Sequence, residues 1–268
     1  MIDTDKLRKS FPQDFISAEE RLQQLSQCYR FGIPSLDTLI RLYPGSILLF
    51  QGNLSTSGFR ALVTRLTVSL LLTNSHSQMA FIDGANLFPF FEISESARHH
   101  QTDPLLLLDR IQLARAFNFH QVTEIITSYL PNLIRQKQIN IIMIPQISAH
   151  YLSKEALQYQ EYDKRPATSS LTELTASLGV LKSLALQYDL VIIMTATSAP
   201  QSRYKALGGT YLAHSATNII RVDHSAPNRQ DVQFSFELLK DPERPVSHIE
   251  LIEPLEEKQL MSLTHFWK

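Results

Sequence analysis

The 268-residue chain has a single cysteine, Cys28, so it forms no intrachain disulfide and builds no thiolate-rich metal site. A reducing, cytoplasmic setting fits (nucleoid-associated in a prokaryote), and Cys28 is expected to be a small helix-packing residue. Excess charge is missing too: the formal net charge is -1, so the chain is not a polycation. Nucleic-acid binding then has to come from a local patch or a partner. Long apolar runs are absent. The greasiest stretch, Val68 to Thr73, falls far short of the roughly 20 residues that cross a bilayer. The opening MIDTDKLRKSFPQDF has no apolar core, so no signal peptide and no membrane partner are expected. Glycine is scarce, and Gly45, Gly52, Gly58, Gly84, Gly208 and Gly209 fall near the ends of expected strands. There is no internal repeat or low-complexity tract.

What is present is a 44% hydrophobic chain, enough for one sizeable core. The expected division is a segment at 1–30 and a core domain at 31–268. Residues 18–30 read as a helix, broken by Phe31-Gly32-Ile33-Pro34, with Ser35 as the cap of a short helix after it. SILLFQ at 46–51 is a short apolar strand, followed by a polar turn at 52–58 and an apolar helix at 59–72. MAFID at 79–83 is the next strand. Helices are expected at 104–116 and 122–137, a strand at 139–144, a long helix at 171–188 and a strand at 190–195. These apolar runs are near-continuous rather than alternating, which favours central parallel strands covered on both faces. After residue 216, segments at 217–222, 232–239 and 248–251 read as successive strands joined by polar turns. The fold class is therefore α/β, a mostly parallel sheet with helices on both faces and antiparallel strands at its C-terminal end.

The order of pieces resembles the RecA/RadA family of recombinases over roughly residues 11–255. The segments carrying the resemblance are FGIPSLDTLI, SILLFQGNLSTSG, FIDGANLF, IQLARAFNFHQV, LVIIMTATSA and ALGGTYLAHSATNIIRV. It implies a RecA-like P-loop NTPase core. A working phosphate loop needs a glycine-rich turn, a lysine for the phosphates and a Ser/Thr hydroxyl for Mg²⁺. Here Gly52 matches the first glycine. Ser57, Gly58 and Phe59 then stand for the second glycine, the lysine and the hydroxyl. With one residue inserted, Gly58 is the second glycine, Phe59 replaces the lysine and Arg60 the hydroxyl. Neither register restores Lys-Ser/Thr. Pro145 stands where the family has its metal-orienting aspartate, and Ala85 where it has its catalytic glutamate. Asp83 has a counterpart in the family and is expected to cap the turn after it. Hydrolysis is therefore not expected and no catalytic residue or metal site is assigned. Gly52, Ser57, Gly58 and Arg60 leave residual ATP or phosphate binding open, because a helix N-terminus attracts anions.

Other features carry further expectations. Phe15-Ile16-Ser17-Ala18 resembles the family's Phe-x-x-Ala interaction motif, with Phe15 and Ala18 as its anchors. In the family this element adds as a strand to a neighbour's sheet; otherwise Phe15 is a hydrophobic staple. Two loops contact DNA in the family. Their counterparts here carry Lys154, Lys164 and Arg165 with Tyr151, Tyr159 and Tyr162, and Arg203 and Lys205 with Tyr204. His214 lies in the Ala-His-Ser stretch without an evident acidic partner. Three readings stay open. The first is a non-hydrolysing accessory protein assembling with a RecA/RadA-type recombinase or with itself, with single-stranded DNA as a further partner. The second is a DNA-dependent ATPase whose site a neighbour completes. The third is an interaction platform that binds no DNA.

Overall fold

A computed structural model describes residues 19, 28–153, 170–228, 231–243 and 250–254. In chain order, α1 (Pro34–Leu39) leads to β1 (Ile47–Gly52), α2 (Thr56–Thr73) and β2 (Met79–Asp83). Then come α3 (Phe90–His99), α4 (Pro104–Asp109) and β3 (Ile111–Arg115). Next, α5 (Phe119–Glu124), a π turn (Ile125–Tyr129) and α6 (Leu130–Lys137) run on as one rod into β4 (Ile141–Ile144). The rest is α7 (Ser170–Gln187), β5 (Val191–Ala199), β6 (Ser202–Ala206), α8 (Gly209–Ser215), β7 (Asn218–Asn228), β8 (Asp231–Lys240) and β9 (Glu250–Pro254).

Every residue of β1 is buried, because side chains alternate between two covered faces. Leu48 and Phe50 enter one apolar cluster with Leu62, Val63 and Leu66 of α2. Ile47 and Leu49 enter a second with Ile126, Ile134, Leu178 and Leu181 from the π turn, α6 and α7. The strand order is β3-β2-β4-β5-β1-β7-β8-β9, with β6 paired to β5. Strands β3 through β7 of that path are parallel, and β8 and β9 are antiparallel additions. The expected architecture, a RecA-like core with antiparallel C-terminal strands, is the one observed. No helix among the described residues is long and apolar enough to cross a membrane.

The approach to the sheet is fixed locally. Ser35 does not cap α1. Pro34 takes the first helical position after Ile33, and Ser35 is buried within the first turn. Instead the Asp37 carboxylate accepts the backbone N–H groups of Phe31 at 2.7 Å and Gly32 at 3.0 Å. Gly32 has φ +70°, and a Cβ there would lie 2.1 Å from Thr73 Oγ1, so only glycine fits.

Further expectations need correction. Residues 28–30 are not helical: Tyr29 bridges to Leu42, and Cys28 is exposed rather than packed. The helix expected at 104–116 ends at Asp109. Ile111–Arg115 pairs in parallel with Met79–Asp83 as the edge strand. Its Ile-x-Leu-x-Arg alternation and the pairing partner override the helix-forming leucines before it. The helix expected at 122–137 starts at Phe119, where the Asn118 side chain caps it, and carries the π turn. Tyr151 does not belong to an open loop. It is fully buried, its hydroxyl 3.0 Å from Thr123 Oγ1 and 3.1 Å from Ser177 Oγ.

Candidate functional site

The turn after β1 is short. Only Asn53, Leu54 and Ser55 separate Gly52 from the first residue of α2. Ser55 caps the helix: its Oγ accepts the Gly58 N–H at 3.1 Å and lies 2.9 Å from Ser57 Oγ. The Gly58 amide and the Ser57 hydroxyl are thus turned onto the loop itself. A Cβ on Gly58 would meet Leu54 Cβ at 3.3 Å, so the loop folds closely over it. Gly52 answers to another constraint, since a Cβ there would lie 2.0 Å from the Val222 carbonyl oxygen. Arg60 reaches away from the loop, donating to the Asn86 carbonyl at 3.2 Å and pairing with Glu92 at 3.6 Å.

The acidic positions are equally committed. Asp83 is buried and accepts the N–H groups of Leu87 at 2.8 Å and Phe88 at 3.1 Å, capping the turn as expected. Arg115 lies 3.8 Å from it. Ala85 sits in that turn without a polar side chain. Pro145 is buried at the exit of β4. The chain there is held by Gln146, whose N–H donates to Thr195 Oγ1 and whose Oε1 accepts from Thr197, both at 2.9 Å. A triphosphate with its magnesium requires a lysine, a hydroxyl and an acid at these positions, and the residues present do not fit it. Among the described residues, no group of three or more His, Cys, Asp or Glu is placed to hold a metal ion.

The chain from the first residue of α2 onward matches a known family. The family model for Rad51 matches residues 56–232, from the first residue of α2 into β8. This chain belongs to the Rad51 family. Membership supports a recombination-related role.

In this Rad51-family chain, the segment expected to hold the second DNA-contacting loop is a tight hairpin between β5 and β6. It carries exposed Lys205 and half-exposed Tyr204, and Arg203 lies on the same strand. The Arg221 guanidinium lies 5.9 Å from the Tyr204 ring centroid. Arg221 is itself buried and paired with Glu237 at 2.5 Å and Asp223 at 2.8 Å, a charge cluster that sequence reading missed. Lys154, Lys164 and Arg165 lie outside the described residues, as do Phe15 and Ala18. His214 is exposed in the last turn of α8. The structure brings Gly52, Ser57 and Gly58 together at one turn.

A second site was not foreseen. Among the described residues, strand β3 is the end of the sheet, with β2 as its only strand neighbour. Beside it a cavity of about 490 Å³ opens against the π turn and α6. Its floor is Ala80, Ile82 and Ala114, its wall Ile125, Leu130 and Leu133. Gln112, Asn132 and Gln136 form a polar rim, and Leu113 on the strand is partly exposed. Ala114 and Ala80 are small, which is what leaves the space. The signal in sequence was the Ala-Arg-Ala segment, obscured by the leucines before it.

Proposed function

We propose that this chain is an accessory recombination protein that does not hydrolyse ATP. It acts by assembling with a RecA/RadA-type recombinase or with copies of itself. The observation that carries this reading is the β3 edge, unpaired among the described residues, beside its apolar cavity. An edge strand offers a row of backbone donors and acceptors, and a pocket beside it takes an alternate side chain of an added strand. Phe15-Ile16-Ser17-Ala18 supplies such a segment, with Phe15 and Ala18 as the anchors. The turn at Gly52 to Gly58, with Pro145 and Ala85, supports the absence of hydrolysis, since phosphoryl transfer depends on positioned charge. Residual ATP or phosphate binding without magnesium, at the N-terminus of α2, stays within the proposal as a non-catalytic property. Tyr204 and Lys205 on the hairpin support contact with single-stranded DNA.

The test is size-exclusion chromatography of the full chain, alone and mixed with a RecA/RadA-type recombinase. The wild type is expected to elute as a mixed or self assembly. Ala114→Phe, which fills the cavity, is expected to elute as a monomer. A wild type that is monomeric in both settings, or an Ala114→Phe variant that still assembles, contradicts the reading.

A further inference from the structure

Another cavity, of about 350 Å³, lies at the opposite end of the sheet from the Gly52 to Gly58 turn, where β4 and β5 start and α2 and α7 end. Its lining includes Tyr29, Asn74, Asn140, Tyr188 and Asp189, and among the described residues no lysine or arginine. Tyr29 and Tyr188 are half-buried, and Asp189 is exposed at the rim. The acid sits there against local preference. Asp189 follows α7 with φ +52°, in a Schellman ending where the Leu190 N–H donates to the Ala185 carbonyl at 3.0 Å. That position favours glycine or asparagine, and a carboxylate there meets the negative end of the helix dipole. No basic residue in the last turn of α7 offsets it. Burial first, and then the Asp189 charge, push the Tyr29 phenol up, so the carboxylate acts on a ring that lines the cavity. Asn74 commits its Nδ2 to the Arg30 carbonyl at 2.9 Å and the Leu70 carbonyl at 2.8 Å, which leaves Oδ1 as an acceptor. Asn140 Oδ1 accepts the Gln78 N–H at 2.9 Å and has a second lone pair. Arg110 does not line the cavity: it donates to the Ser77 carbonyl at 2.9 Å and the Asn74 carbonyl at 2.7 Å, and so serves the end of α2.

We propose that this cavity receives an arginine side chain from a partner polypeptide. It stands apart from edge docking at β3 and does not depend on it. A cation is called for by the lining: one carboxylate, the amide oxygens of Asn74 and Asn140, two tyrosine rings and the C-terminal end of α7. A guanidinium answers that set better than an ammonium. Its planar fork of N–H donors reaches several oxygens at once, and its flat face stacks on a tyrosine ring. The volume, about 350 Å³, stands near the low end of the roughly 300–1,000 Å³ of ligand pockets and suits one long side chain. A polypeptide source follows from charge complementarity. Free arginine carries an α-carboxylate, which would face Asp189 and the negative end of α7 with no cation in the described lining to receive it. Within a chain that carboxylate is a neutral amide.

The experiment is a nuclear magnetic resonance titration of the full, nitrogen-15-labelled chain with acetyl-Gly-Arg-Gly-amide. Shifts are expected at Asn74, Asn140 and Asp189. The citrulline version of the peptide, alike in shape but neutral, is expected to bind at least tenfold more weakly, and the lysine version and free arginine severalfold more weakly. Asp189→Asn keeps a residue that tolerates the left-handed position and is expected to weaken binding at least tenfold with the rest of the spectrum unchanged. Cys28, the single cysteine, is exposed and lines the same cavity, so bound peptide is expected to slow its alkylation by iodoacetamide severalfold. No shifts at these residues, or an unchanged Cys28 rate at saturating peptide, overturns the site. Equal binding of the citrulline peptide, or undiminished binding by a folded Asp189→Asn chain, overturns cation recognition. Equal binding of the lysine peptide overturns the choice of arginine, and tighter binding of free arginine overturns the polypeptide as its source.

Discussion

Gly52 and Val222 meet where β1 runs beside β7: a Cβ on Gly52 would lie 2.0 Å from the Val222 carbonyl oxygen. The glycine that reads as the first of a phosphate loop is thus required by strand packing, whether or not a nucleotide binds. Gly52→Ala is expected to cost about 1–3 kcal/mol, the range for forcing atoms into a packed core. The check is a urea titration, in which the midpoint should fall equally with and without ATP. A variant as stable as wild type contradicts this account of Gly52.

The buried pair of Arg221 and Glu237 makes a second prediction. Glu237→Ala leaves the guanidinium buried with Asp223 as its remaining acidic partner, and is expected to cost roughly 3 kcal/mol or more. Replacing both residues together, as Arg221→Met with Glu237→Leu, is expected to recover most of that loss, because no charge is then stranded. Denaturant unfolding of the single and double variants decides it. A double variant no more stable than Glu237→Ala contradicts the argument.

Tyr151 gives the pH dependence. Burial raises its phenol above the ordinary value near 10.0, and the hydroxyls of Ser177 and Thr123 only partly offset this. The folded state therefore holds this proton more tightly than the unfolded state. That contribution to stability is whole below about pH 10 and is lost as the pH rises from the unfolded toward the folded value. Tyr29 is raised for the same reason, by burial and then by Asp189, and titrates in the same direction. Tyr151→Phe is expected to cost about 1 kcal/mol at neutral pH through its lost hydroxyl contacts. It should also show a shallower loss of stability between about pH 9 and pH 11 than wild type. Parallel curves for the two proteins contradict the assignment.

Sequence reading reached the central strands because β1, β2, β4 and β5 are buried on both faces and bounded by glycine, proline or polar turns. That pattern survives without knowledge of partners. It failed at β3, where helix-forming leucines run straight into a strand whose identity depends on pairing with β2. The π turn was hidden because Pro131 alone does not say whether a helix breaks, kinks or bulges. At the site, the missing acids at Ala85 and Pro145 were legible as residue types. The fate of Arg60 was not: its partner Glu92 comes from α3, an element that was not anticipated. Nor was Arg221, whose burial depends on β7, β8 and the hairpin meeting.

Steady-state ATP turnover tests the central claim most directly. The full chain is assayed with single-stranded DNA, alone and mixed with a RecA/RadA-type recombinase made hydrolysis-dead by loss of its phosphate-loop lysine. The account predicts no turnover above the recombinase variant in either case. Turnover that scales with the amount of this chain, survives extensive purification and disappears in Arg60→Ala would contradict it.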